Sequence, residues 1–289
     1  MTGAGATRVE TPSGKGAADE NFPVGSFLMA AHLRPHVATF YAFARAIDDV
    51  ADNPDRASAD KVAVLDGFAR AVAGQGDGPA EDAAFVKAHR MRESLAQTGI
   101  TARHCLDLIS AFKQDAVKSR YGDWDELIDY CNRSAAPVGR YLLDLHGEGT
   151  GGYVFSDALC NALQVINHLQ DCQDDYRAMD RVYLPTDWMA ECGADVGELD
   201  ADASGVALRA VLDRALDGVE QLLGQARQLP GRLESRRLAM ESAVIVSIAE
   251  RLTAMLRGRD PIAGRVELTK TQFLGCAVRG LWRLLFTGK

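Results

Sequence analysis

The chain has 289 residues, 47% hydrophobic and 25% charged, the composition of a folded protein with a sizeable core. A net charge of −8 excludes a broad nucleic-acid surface, which needs clustered Lys and Arg. Six cysteines (Cys105, Cys131, Cys160, Cys172, Cys192, Cys276) are scattered without a C-x-x-C pair, which fits reduced thiols in a cytoplasm better than a disulfide framework.

Taken in chain order, residues 1–20 read as a flexible tail, polar and Gly-rich, without the apolar run of a secretory signal. Helical periodicity then dominates. Apolar side chains recur at three- and four-residue steps over 31–52, 60–73, 80–97, 101–117, 123–145, 154–178, 205–227 and 233–257. Breaks carry Gly or Pro: Asn53-Pro54, Gly74 to Pro79, Gly147 to Gly152, Pro185 and Pro230-Gly231. Strand-like alternation is scarce, and no run of about 18 apolar residues marks a membrane span. The expectation is one all-α domain over 21–289.

Two of these helices carry acids on otherwise apolar surroundings. In "YAFARAIDDVAD", Tyr41, Arg45, Asp48 and Asp52 step by four, three and four, so they share one face. Asp49 points elsewhere and suits a supporting role. In "NALQVINHLQDCQDD", Gln164, Asn167, Asp171 and Asp175 step by three, four and four, with Asp174 beside the stripe. A single acid pair at i, i+4 is ordinarily a solvated face. Two pairs, each with an amide or guanidinium one turn earlier and apolar flanks, are hard to obtain by chance. Carboxylates facing one another repel unless cations intervene. Oxygen ligands of this kind suit Mg²⁺, completed by water and substrate phosphates. Arg45 adds a fixed positive charge for the same oxygens.

These residues resemble the squalene/phytoene synthase family, whose two aspartate-rich motifs have the form D-x-x-x-D. The first matches Tyr41 to Asp52 and the second Gln164 to Asp175, followed by "RVYLP" at Arg181 to Pro185. "DYCNRSAAPVG" (Asp129 to Gly139) and "RVELTKTQF" from Arg265 extend the match, which runs from about Asn21 to Phe273. Departures are informative. "DENFPV", with Asp19 and Asn21, replaces a serine-rich segment that helps bind diphosphate. Gln170 replaces the arginine usual before the second motif, and Ser134 to Pro137 replace a Val-Ala-Gly. With "ENFPV", the pattern is most similar to the bacterial hydroxysqualene synthases of hopanoid biosynthesis.

The resemblance implies an isoprenoid-synthase-type helical bundle around a central cavity. It also implies Mg²⁺-dependent conversion of presqualene diphosphate to hydroxysqualene, with diphosphate released and water capturing the carbocation. Condensation of two prenyl diphosphates to squalene or phytoene is the alternative. Metal ligands would be Asp48, Asp52, Asn167, Asp171 and Asp175. The diphosphate would meet Tyr41, Arg45, Gln164, Asn167 and Arg265. Phe22, Phe40, Tyr130 and Val138 would line the cavity, with Tyr130 also catalytic beside Tyr41, Arg45 and the aspartates. Coupling to neighbouring squalene-pathway enzymes would follow from the same pathway.

A reductive synthase would need nicotinamide, and none is expected. The G-x-G-x-x-G at Gly147 to Gly152 follows a helical pattern and lacks a βαβ context, so it reads as a flexible interhelical loop. The six histidines show no metal-ligand spacing. Gln114 and Asp115 suit either a cavity-facing acid site or an exposed helix end. "FLGCAVRGLWRLLFTGK", residues 273–289, is amphipathic and admits two readings: peripheral membrane contact or a helix packed on the domain.

Overall fold

The periodic segments fold as helices in the computed structural model, whose described residues are 29–76 and 85–287. The tail expected over 1–20, and with it Asp19, Asn21 and Phe22, lies outside them. Within the remaining chain the helices group into two compact units, one ending at Val117 and the other beginning at Lys118.

In the first unit, α1 (Arg34–Ala51) places Pro35 in its first turn, where a missing N–H leaves no bond unmade. Helices α2 (Ser58–Ala73) and α3 (Val86–Thr98) end at Gly74 and Gly99, whose φ of 69° and 72° supply the left-handed cap. Helix α4 (Arg103–Asp115) completes the unit, and α1 packs on all three of these partners. The buried face of α1 holds Val37, Phe40, Phe43, Ile47 and Val50. Phe43 meets Phe68 edge-on at 6.2 Å, and Phe68 meets Phe85 at 5.1 Å.

The second unit is built on α7 (Tyr153–Gln170), whose buried residues from Ala158 to Leu169 spread over most of its circumference. Around it pack α5 (Trp124–Ser134), α6 (Ala136–Leu145), α10 (Val206–Ala226) and α12 (Arg236–Gly258). Helix α12 also carries α13 (Lys270–Thr287). The Gly of the "PVG" segment explains the α6–α7 contact: a Cβ on Gly139 would lie 2.2 Å from Ser156 Oγ. Among the described residues no β-strand occurs, only a parallel bridge between Arg120 and Val182. The protein is all-α.

Two expected helices are each broken in two. The segment 123–145 divides at Ala135 (φ −121°), because Pro137 has no N–H to continue the ladder of the preceding helix and sits instead in the first turn of α6, where none is needed. The segment 154–178 divides at Asp171 (φ −104°, ψ 7°), and α8 (Cys172–Met179) follows. The periodicity also passed over α9 (Thr186–Cys192) and the single turn α11 (Leu229–Arg232). The glycine-rich loop does join two helices, α6 and α7, but it is fastened. The Glu148 carboxylate accepts from the Glu234 and Ser235 N–H groups at 2.7 Å each, at the start of α12.

Gly280 marks the closest approach of α13 to α12, since a Cβ there would stand 2.4 Å from the Ala243 carbonyl oxygen. Gly280→Ala is expected to lower unfolding stability by about 1–3 kcal/mol despite alanine's better helix propensity. Denaturant unfolding checks this, and unchanged or raised stability would contradict the close contact.

Candidate active site

Along α1 the predicted stripe lies between buried and exposed positions, as do Thr39, Ala42 and Ala44. Tyr41, Arg45, Asp48 and Asp52 are all half-buried, while Phe43, Ala46, Ile47, Asp49, Val50 and Ala51 are buried. Arg45 Nη1 donates to Asp48 Oδ2 at 2.7 Å, and Arg45 Nη2 lies 3.5 Å from Asp49 Oδ1. Asp49 is therefore the buried end of a fork that fixes the guanidinium, a supporting role off the stripe. Asp115, the last residue of α4, is also buried. Burial pushes the Asp48 carboxyl up to about 7, and the Asp52 charge pushes the same way. Arg45 opposes the rise, while Asp115 and Asp49 add to it.

Asp48 thus feels three further carboxylates against one guanidinium, an excess of negative charge that a cation would relieve. Among the described residues no three His, Cys, Asp or Glu side chains converge to enclose a metal unaided. That donor set fits a hard ion such as Mg²⁺, which takes one or two carboxylates and keeps sites for water and phosphate.

In the second unit the last seven residues of α7 are buried except Gln164 and Asn167. Asp171 and Asp175 continue this half-buried line, and Asp174 beside it is exposed. The break at Asp171 keeps the pair in register: the Asp171 N–H reaches the Asn167 carbonyl at 2.9 Å, and the Asp175 N–H reaches the Asp171 carbonyl at 2.8 Å. Gln164 Nε2 lies 3.2 Å from His168 Nε2. Arg265, exposed in the irregular stretch before α13, brings Nη2 to 3.8 Å from Asp171 Oδ1. A residue 94 positions from Asp171 in sequence therefore borders the second acid pair.

Of the expected cavity residues, Phe40 and Tyr130 have buried rings and Val138 is half-buried, while Phe22 lies outside the described residues. Tyr130 belongs to an aromatic group that spacing did not reveal. Its ring lies 5.4 Å from Tyr121 and 5.6 Å from Tyr183, and His168 stacks on Tyr183 at 3.5 Å. Burial, and secondarily the charge of Arg181, pushes His168 down to about 3, so it stays neutral near pH 7. Tyr183 is the tyrosine of "RVYLP", whereas nothing in its own neighbourhood marks Tyr121. Asp115 was legible as an acid but not as part of the α1 group, because that depends on how α4 packs on α1. All six cysteines are free thiols. Burial pushes Cys105, Cys160 and Cys172 up to about 12, which makes them poor nucleophiles.

Residues 16–272 match the family model described as squalene/phytoene synthase. A hydroxysqualene synthase of Zymomonas mobilis is 43% identical, covering 92% of this chain and 88% of its own length. The hydroxysqualene synthase of Rhodopseudomonas palustris is 42% identical, covering 92% and 89%. Among solved structures, a squalene synthase from Alicyclobacillus acidocaldarius aligns with a TM-score of 0.70 at 32% identity, covering 81% of this chain and 87% of that one. A dehydrosqualene synthase complex aligns with a TM-score of 0.72 at 18% identity, covering 89% of each chain, and shows the fold.

The raised carboxyl of Asp48 has a testable sign. Folded Asp48 holds its proton up to about pH 7, whereas the unfolded chain releases it near the usual 3.8, so the native state binds more protons between these values. Stability from this group therefore falls as pH rises through that window. Asp48→Asn removes the penalty and should raise Tm at pH 8 by roughly 2 °C or more, with the gain fading toward pH 4. Calorimetry at both pH values checks this, and no gain at pH 8 would sink the crowding argument.

Proposed function

Because this chain belongs to the squalene/phytoene synthase family, we propose that it acts as a hydroxysqualene synthase, converting presqualene diphosphate and water to hydroxysqualene and diphosphate. The single observation that carries this reading is the 40–43% identity to hydroxysqualene synthases over nearly the whole chain. Phytoene synthases stand well below them at 29%. Both carboxylate stripes lie within the family match.

Asp48 and Asp52, at the end of α1, and Asn167, Asp171 and Asp175, across the break between α7 and α8, are the proposed Mg²⁺ ligands. When bound, Mg²⁺ supplies charge that makes diphosphate a better leaving group. Arg45 and Arg265 hold diphosphate oxygens as fixed cations, with Tyr41, Gln164 and Asn167 as hydrogen-bonding partners. The carbon–oxygen bond to diphosphate breaks with its electron pair on oxygen. The rearranged carbocation then takes a lone pair from water, and that water loses a proton. Buried rings such as Tyr130 and Phe40 keep the surroundings apolar while the cation persists. No electron donor enters this balance, so nicotinamide has no part in it. The product suits squalene and hopanoid biosynthesis, alongside enzymes that supply presqualene diphosphate and consume the alcohol.

A C30 product needs an apolar destination, and α13 suits contact with a membrane surface. Leu274, Val278, Trp282, Leu285 and Phe286 are all exposed there, from 58% to 75%. Residues 270–289 carry four cations and no acid in a chain of net charge −8, and although Arg279 and Arg283 pair with Glu250 of α12 the segment stays basic, which suits an anionic lipid surface. No helix among the described residues is long and apolar enough to cross a membrane.

Purified protein with presqualene diphosphate and Mg²⁺, without nicotinamide, is expected to yield hydroxysqualene and diphosphate. Chelation should stop the reaction, and Asp171→Asn should lower kcat about 10²–10³-fold. Consumption of farnesyl or geranylgeranyl diphosphate, with presqualene diphosphate untouched, would assign a condensing synthase instead. For the membrane contact, flotation with anionic vesicles is expected to carry the protein, and Trp282→Glu with Leu285→Glu to abolish it. Flotation that the double variant leaves unchanged would rule α13 out as the contact.

A further inference from the structure

Gln170 stands where the resemblance leads one to expect an arginine, and the structure gives it different work. It is the last residue of α7 and is buried, and its side-chain amide donates to the main-chain carbonyl of Val266, 96 residues away. Val266 is itself buried and lies in the irregular stretch 265–269 between α12 and α13. The neighbours of this pair form a second rung: Asp171 follows Gln170, Arg265 precedes Val266, and the two charged groups are 3.8 Å apart. The inner rung is buried. On the outer one, Arg265 is 62% exposed and Asp171 30%.

An exposed ion pair at that distance is too weak to order a long arginine side chain and its irregular backbone. A buried amide-to-carbonyl bond is stronger in effect, because breaking it strands two polar groups away from water. The direction of the bond also matters. The bond present runs from the glutamine amide to the Val266 carbonyl, so position 170 acts here as the donor. Glutamine does this without placing a second cation beside Asp171.

We propose that Gln170 is a positioning residue: its bond to Val266 holds the 265–269 stretch against the end of α7, in the register that keeps Arg265 beside Asp171. The assignment of Arg265 to diphosphate rests on the proposed function above, whereas the strap itself does not.

Two measurements on the full-length protein separate these claims. Hydrogen exchange reports the strap directly. In Gln170→Met, which keeps the volume and removes the donor, amides of residues 263–269 should exchange at least roughly tenfold faster, with those of α10 unchanged. In Gln170→Glu, which replaces the donor with an acceptor, the same peptides should respond at least as strongly. Unchanged exchange over 263–269 in both variants overturns the proposal, whatever happens to binding. Isothermal titration with inorganic pyrophosphate and Mg²⁺ then reads the consequence. Arg265→Ala and Gln170→Met should each weaken binding roughly tenfold, and the double variant should be no weaker than Arg265→Ala alone. Losses that multiply in the double variant overturn the proposal, because Gln170 would then act independently of Arg265. A wild-type protein that fails to bind pyrophosphate counts against the diphosphate reading of the site, while the exchange result still decides the strap.

Discussion

Negative charge held where water is scarce is the constraint on which the first unit depends. The four-residue step from Asp48 to Asp52 places both carboxylates on one face, and the helix backbone gives them no freedom to separate. Phe43, Ile47 and Val50 anchor the opposite side of α1 in the core, so the helix cannot roll its acids into solvent. Packing α4 against α1 adds Asp115 to the group. Arg45 relieves only part of this, since its guanidinium is divided between Asp48 and Asp49. The cost to the fold and the attraction for a cation are one quantity seen from two sides, because whatever binds the native state also stabilises it.

The second unit handles a similar acid pair differently. The chain leaves helical geometry at Asp171 and re-enters it at Cys172, so Asp174 and Asp175 fall in the first turn of α8, where the helix dipole favours negative charge. The break also frees Asp171 from the middle of a helix and puts it beside a residue from the far end of the chain. Behind this line the surroundings are aromatic, with Tyr121, Tyr130, Tyr183 and a neutral His168 stacked together. The buried Arg181 approaches the Tyr183 hydroxyl at 3.4 Å, which holds the ring of the "RVYLP" tyrosine in place. The second unit thus sets a half-buried acid pair on the helix that carries His168 into a buried aromatic cluster.

What was legible in the sequence was whatever is set by spacing along a single helix. The stripes at 41/45/48/52 and 164/167/171/175 were visible because both periodicity and side-chain type marked them, and all eight side chains are half-buried. The all-α class was visible for the same reason. The breaks at Ala135 and Asp171 were not. One needs the stereochemistry of Pro137 to override an apolar period, and the other has no Gly or Pro to announce it. Helix α9 is too short for a period to accumulate. Asp115, Tyr121 and the Gln170–Val266 bond belong to a third class, since each acquires its meaning from a contact between distant segments and no local pattern encodes that contact.

Gln170 shows how a departure from a family pattern can be read physically. Read as a loss, the exchange of a cation for an amide weakens the hold on a diphosphate. In the structure the amide is buried and donates to the Val266 carbonyl, a place where a guanidinium would carry its charge away from water at a desolvation cost. The cation is supplied instead by Arg265, on a backbone that the amide itself ties down. A positive charge next to Asp171 is therefore kept, but it is carried on an exposed side chain held through a neutral buried bond. The second acid pair thus depends on the stretch before α13 as well as on α7 and α8, so the same stretch links the exposed apolar helix α13 to the acid edge.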